Sequence, residues 1–80
     1  MNTQAYREIL DEALQDLPGG LKVDSRSDLH VFVTGTGSAR AHIERRVGKW
    51  RARIIEDLEV VETIFEPSID DLLARLTTFI

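Results

Sequence analysis

Apolar residues recur every three to four positions at the two ends of this chain and every second position in its middle. That change of period restricts the fold more than any other feature. From Asn2 to Leu17, the residues Tyr6, Ile9, Leu10, Ala13, Leu14 and Leu17 form one stripe, opposite Arg7, Glu8, Asp11, Glu12, Gln15 and Asp16. Asn2 or Thr3 supplies the N-cap. Pro18-Gly19-Gly20 ends the helix, because proline cannot continue the ladder and glycine accepts the left-handed conformation. A second helix is capped by Ser68, with Asp71 three positions on, and carries the stripe Ile69, Leu72, Leu73, Leu76, Phe79 and Ile80.

Between the helices, Leu21, Val23 and then Leu29, Val31 and Val33 alternate with polar neighbours, predicting two short strands around the turn at 24–28. The glycine-rich stretch 34–38 is the next turn. Two patterns compete over 39–55. As strands, Ala41, Ile43 and Val47 alternate with Arg40, His42, Glu44 and Arg46, and Gly48-Lys49 is a two-residue hairpin loop. That register sets Val47 against Trp50, Ile43 against Ile54, Glu44 against Arg53 and Arg46 against Arg51. As a helix, Ile43, Val47, Trp50, Ile54, Leu58, Val61 and Phe65 also fall at spacings of three and four. Gly48 would then sit mid-helix at a cost of about 1 kcal/mol, and the hairpin is preferred. The β-branched run Leu58 to Phe65 extends the sheet. The expectation is a single α+β domain over 1–80: an N-terminal helix, an antiparallel meander of three to four strands, and a C-terminal helix. Both helices pack on one sheet face.

A chain of 80 residues buries only about 60% of its unfolded surface. With no cysteine, neither disulfides nor thiolate metal sites can supplement that core, so good packing or a homodimer is expected. Apolar runs stop at two or three residues, which predicts no membrane span. MNTQAYREIL has neither the basic nor the apolar part of a secretory signal, so the expected location is cytoplasmic.

The net charge of −4 hides a segregation. Between Ser38 and Ile55 six cations (Arg40, Arg45, Arg46, Lys49, Arg51 and Arg53) stand against the single carboxylate Glu44. From Glu56 onward seven carboxylates stand against Arg75, and the first helix carries four against Arg7. On the hairpin, Arg40, His42, Arg46, Arg51 and Arg53 share one exposed face and are the candidate partner-binding residues. The acidic surface is a second candidate, since carboxylates can stand where phosphates would lie in a partner's groove.

Catalytic chemistry is thinly represented. His30 and His42 are the two histidines, neither has a partner at metal-ligand spacing, and both fall on polar positions of their strands. No metal or cofactor is expected. An active site would need a pocket that brings one of them beside a carboxylate. Asp70-Asp71 is accounted for by the helix dipole. Gly35-Thr36-Gly37-Ser38-Ala39-Arg40 lacks the third glycine of a phosphate-binding turn and reads as a hairpin connection. The leading expectation is a non-enzymatic protein–protein interaction module: a regulator, inhibitor, immunity protein or chaperone-like adaptor. The alternative is a nucleic-acid-binding module using the basic hairpin at 40–53.

Overall fold

The period change is realised directly in the computed structural model, which describes residues 3–80. Helix α1 (Thr3–Gln15) is followed by strands β1 (Lys22–Ser27), β2 (His30–Thr34), β3 (Arg40–Arg46), β4 (Lys49–Glu56) and β5 (Glu59–Glu66), then by helix α2 (Ile69–Leu76). The strands form one open antiparallel sheet in chain order, so every connection is a hairpin. The meander has five strands instead of three to four, because both the 22–27 segment and the valine-rich 59–66 segment join its edges. The helical pattern over 43–65 is accidental: three strands cross that stretch.

Local signals at the helix ends act as expected where they are described. Ser68 takes an extended backbone, and its side-chain oxygen accepts from the Asp71 amide at 3.1 Å. Arg75 in the last turn of α2 donates to Glu66 of β5 at 2.7 Å. Thr3 is already helical, and Asn2 lies outside the described residues. Two exposed ion pairs, Arg7–Asp28 and Arg26–Asp11, tie α1 to the β1–β2 hairpin. The hydrogen bond from Arg7 holds the Asp28 carboxyl below its ordinary range.

One face of the sheet is covered. Val31, Val33, Ala41, Ile43, Trp50, Ala52, Ile54 and Ile64 point into it and meet Leu10 of α1 and Ile69, Leu72, Leu73 and Leu76 of α2. Burying each large side chain here stabilises by about 1.5–3 kcal/mol. Arg45 closes the margin of this core. Its guanidinium lies 4.1 Å from the centre of the Tyr6 ring and 5.3 Å from that of Trp50, and Tyr6 meets Trp50 edge to face. The α2 stripe runs out at its end, where Phe79 remains 41% exposed.

The central hairpin differs from the expected register. Its turn is Val47-Gly48, one residue earlier, with Gly48 in the left-handed region at φ 73°. Glycine therefore serves as the second central residue of the turn, the one that needs positive φ. Ile43 now faces Ala52, Glu44 faces Arg51, His42 faces Arg53 and Arg46 faces Lys49. Val47, expected opposite Trp50 in the core, is 98% exposed at the tip. The slip moves each partner by two positions, so both hairpin strands keep their inward and outward faces.

Candidate docking face

The second face of the sheet carries no helix, and the hairpin register decides what sits on it. Cross-strand pairing aligns Phe32, His42, Arg53 and Thr63 in one row, and His30, Glu44, Arg51 and Phe65 in the next. Arg40 and Ile55 lie beyond the first row, and Arg46 and Lys49 beyond the second. The five residues expected to share a face, Arg40, His42, Arg46, Arg51 and Arg53, are all on it. Lys49, Lys22, Phe32 and Phe65 join them, and the pairing of Lys22 with Thr34 and of Phe65 with Arg51 places the last additions. Periodicity alone could not show this, because the neighbours come from β1, β2 and β5.

Glu44 is the one carboxylate at the centre. It is 8% exposed, forms a close ion pair with Arg51, lies 3.7 Å from Arg46 Nη1, and places Oε2 3.4 Å from His30 Nδ1. A carboxylate this shielded is tolerable only because guanidinium donors replace its water.

His42 was expected at the surface, yet it is 8% exposed. Phe32 stacks on it with ring centres 4.7 Å apart, and the Arg40 guanidinium lies 5.0 Å from the centre of the Phe32 ring. Arg53 Nη2 sits 2.8 Å from His42 Nδ1. Guanidinium nitrogens only donate, so Nδ1 must accept and the neutral ring carries its proton on Nε2. That proton points at His30 Nδ1, 3.1 Å away. The two imidazoles are parallel within 9°, and their 5.3 Å centre separation is close to the longest that this N···N contact allows. They therefore meet edge to edge, the geometry of a hydrogen bond. Burial, then the nearby charges of Arg53, His30 and Arg51, hold the His42 pKa below the ordinary imidazole value.

His30, His42 and Glu44 each place one ligand-type atom within 4.8 Å of the others, the only such group among the described residues. The donor set resembles two histidines and a carboxylate on a divalent transition metal. The surroundings oppose that role. His42 Nε2 carries the proton that a metal would have to displace, and moving it to Nδ1 would aim it at the Arg53 donor. Arg46 and Arg51 already hold the carboxylate. The cluster thus joins a histidine to a carboxylate, but on an open face. One surface groove lies on the other side, between α1 and the start of α2 along Glu12, Asp16 and Asp70, and another lies at the hairpin tip, lined by Arg45, Arg46, Val47 and Lys49.

The face offers anions much more than it offers bases. Five cations from β3 and β4 surround one carboxylate that is already paired. Phe32 lies between His42 and Arg40, and Lys49 Nζ sits 4.6 Å from the centre of the Phe65 ring. Both phenyl rings therefore spend a face on a cation or a neighbour, as cation–π contacts require. Arg51 Nε and Arg53 Nε are shielded and have no acceptor among the described residues, so donors outnumber acceptors even inside the cluster. Comparison with protein-family models, curated proteins and solved structures finds no match for this chain, and the face is read from its own chemistry.

Proposed function

We propose that this chain is a non-enzymatic protein–protein interaction module whose working surface is the uncovered sheet face and whose partner presents carboxylates. The observation that carries the reading is the excess of cations around Glu44, held in place by stacking and ion pairing. Rigid guanidinium forks suit carboxylates, and charges ordered before binding lose little side-chain entropy on association. An acidic helix layer on the opposite side disfavours a long polyanion, which would experience the net charge of −4. A single-stranded nucleic acid is the second reading, favoured by the same cations. It is weakened because Phe32 and Phe65 are already engaged where bases would stack.

The test compares a fluorescein-labelled oligoglutamate peptide with a labelled oligothymidylate of equal charge, at low and physiological salt. Arg40→Ser, Arg46→Ser and Lys49→Ser are combined as the control, because these cations are exposed and outside the core. The expected result is peptide binding that the triple variant lowers at least tenfold while its circular-dichroism spectrum and cooperative unfolding are retained, with a thermal midpoint lowered only by the loss of exposed contacts. Preference for the oligonucleotide moves the assignment to nucleic acid, and equal binding by the triple variant removes the face from the function.

A further inference from the structure

The two free edges of the meander are built differently. β1 changes step between Val23 and Ser25 and carries Lys22, Asp24 and Arg26. Charges of both signs spaced along that strand blunt the edge against further pairing. β5 is eight residues long, and no strand of the described residues pairs with its outer side. Val60, Val61 and Phe65 on it are 51%, 52% and 45% exposed. Val60 opposes Ile55 while Glu62 opposes Ile54, so Val61 is the extra residue of a bulge. Both valines and Phe65 therefore lie toward the uncovered side, with Glu62, Ile64 and Glu66 toward the helices.

We propose that β5 pairs antiparallel with β5 of a second copy about a two-fold axis at Thr63, joining two five-stranded sheets edge to edge. The order of residues on the strand selects this occupant. An axis at Thr63 sets Val61 of each copy against Phe65 of the other on the uncovered side, and Glu62 against Ile64 on the helix side. An axis at Ile64 sets Glu62 against Glu66, and an axis at Glu62 sets that residue against itself. Like charges directly opposite destabilise a strand pair. An axis at Phe65 leaves the valines in water and brings Pro67, which has no N–H, toward the ladder. Of these four registers, the one at Thr63 covers Val61 and Phe65 without setting carboxylates opposite each other, and a two-fold contact of this kind is self-complementary. The two basic faces then lie side by side as one surface. The pairing goes beyond the docking reading and does not depend on it.

The chain has no cysteine, so a single introduced thiol reports the register cleanly. Thr63→Cys places two thiols directly opposite at the axis, and Asp24→Cys places one on the other edge as control. In oxidised glutathione, Thr63→Cys should convert to a covalent dimer much faster than Asp24→Cys. Sedimentation equilibrium of the unmodified chain at micromolar to submillimolar concentration should give a dimer, which Val61→Lys weakens at least tenfold. A monomeric mass throughout overturns the proposal. So does a dimer whose Thr63→Cys thiols link no faster than the control, since the interface then lies elsewhere. Oligoglutamate binding is read separately on the unmodified chain, so failure of the dimer and failure of the docking face are told apart.

Discussion

Replacing Glu44 by glutamine removes the one negative charge from the centre of the uncovered face while keeping its shape. The Glu44 side chain is 11% exposed and that of Arg51 is 20% exposed. Removing one member of a fully buried pair costs about 3–5 kcal/mol, and removing one from an exposed pair about 0–1 kcal/mol. This pair lies between those limits, and glutamine retains one acceptor for Arg51. The loss should be about 1–3 kcal/mol. A chain of this size has on the order of 4–12 kcal/mol to lose, and each kcal/mol moves its thermal midpoint by about 4–8 °C. Urea unfolding of Glu44→Gln should show a lower midpoint with an unchanged m-value, as expected for a folded-state effect. Sulfate or phosphate should restore more stability to the variant than to the unmodified chain, because an anion that binds only the folded state stabilises it by mass action. A loss below about 0.5 kcal/mol with no anion rescue would refute the reasoning, placing Glu44 among surface pairs of negligible effect.

Three further outcomes follow from the same structure. Because His42 is held below the ordinary imidazole pKa of 6.5, the unfolded chain takes up a proton there that the folded chain refuses. Stability should therefore fall as the pH drops through the window just beneath 6.5, and His42→Phe should flatten that part of the profile; parallel slopes for the two proteins would assign it to another group. Asp57 and Leu58 form the β4–β5 turn at φ 51° and 68°, and Leu58 is 91% exposed. Since a left-handed non-glycine residue costs about 1–2 kcal/mol and glycine's extra unfolded freedom about 0.5–1, Leu58→Gly should stabilise by about 0.5–1 kcal/mol in urea unfolding, and an unchanged midpoint would show the turn to be unstrained. At Gly35 an added Cβ would overlap the Ile80 carbonyl, so Gly35→Ala should lower the thermal midpoint by an overpacking cost of about 1–3 kcal/mol; removing Ile80 from that variant should recover part of it, and no recovery would disprove the clash.

Much of the architecture was legible because it is local. The spacing of Leu10, Leu14 and Leu72, Leu73, Leu76 identifies amphipathic helices wherever they dock. The alternation of Val31 and Val33, and of Ala41 and Ile43, with polar neighbours identifies strands whose inward residues the structure buries, whereas Val47 of the same pattern falls in the turn. Ser68 announces its helix through a hydrogen bond that spans three residues. The shared face of Arg40, His42, Arg46, Arg51 and Arg53 was legible for the same reason, since a side-chain period of two assigns faces without partners.

What escaped the sequence is what depends on register and on distant strands. A period of two is unchanged when a hairpin slips by two residues, so the pattern could not choose between Gly48-Lys49 and Val47-Gly48; glycine's place as the left-handed second turn residue did. That choice gave Glu44 to Arg51 and His42 to Arg53. The burial of His42 under Phe32, its bond to His30 and the position of Phe65 beside Lys49 each join residues from separate strands. The amino-acid sequence by itself determined the elements, the inward and outward faces, and the sign of the charge on the hairpin. The tertiary structure alone decided which of those charges are neutralised, which rings are spent on stacking, and which sheet edge stays open. Helix and strand follow from contacts between near neighbours, whereas pairing follows from where turns bend and which strands they bring together.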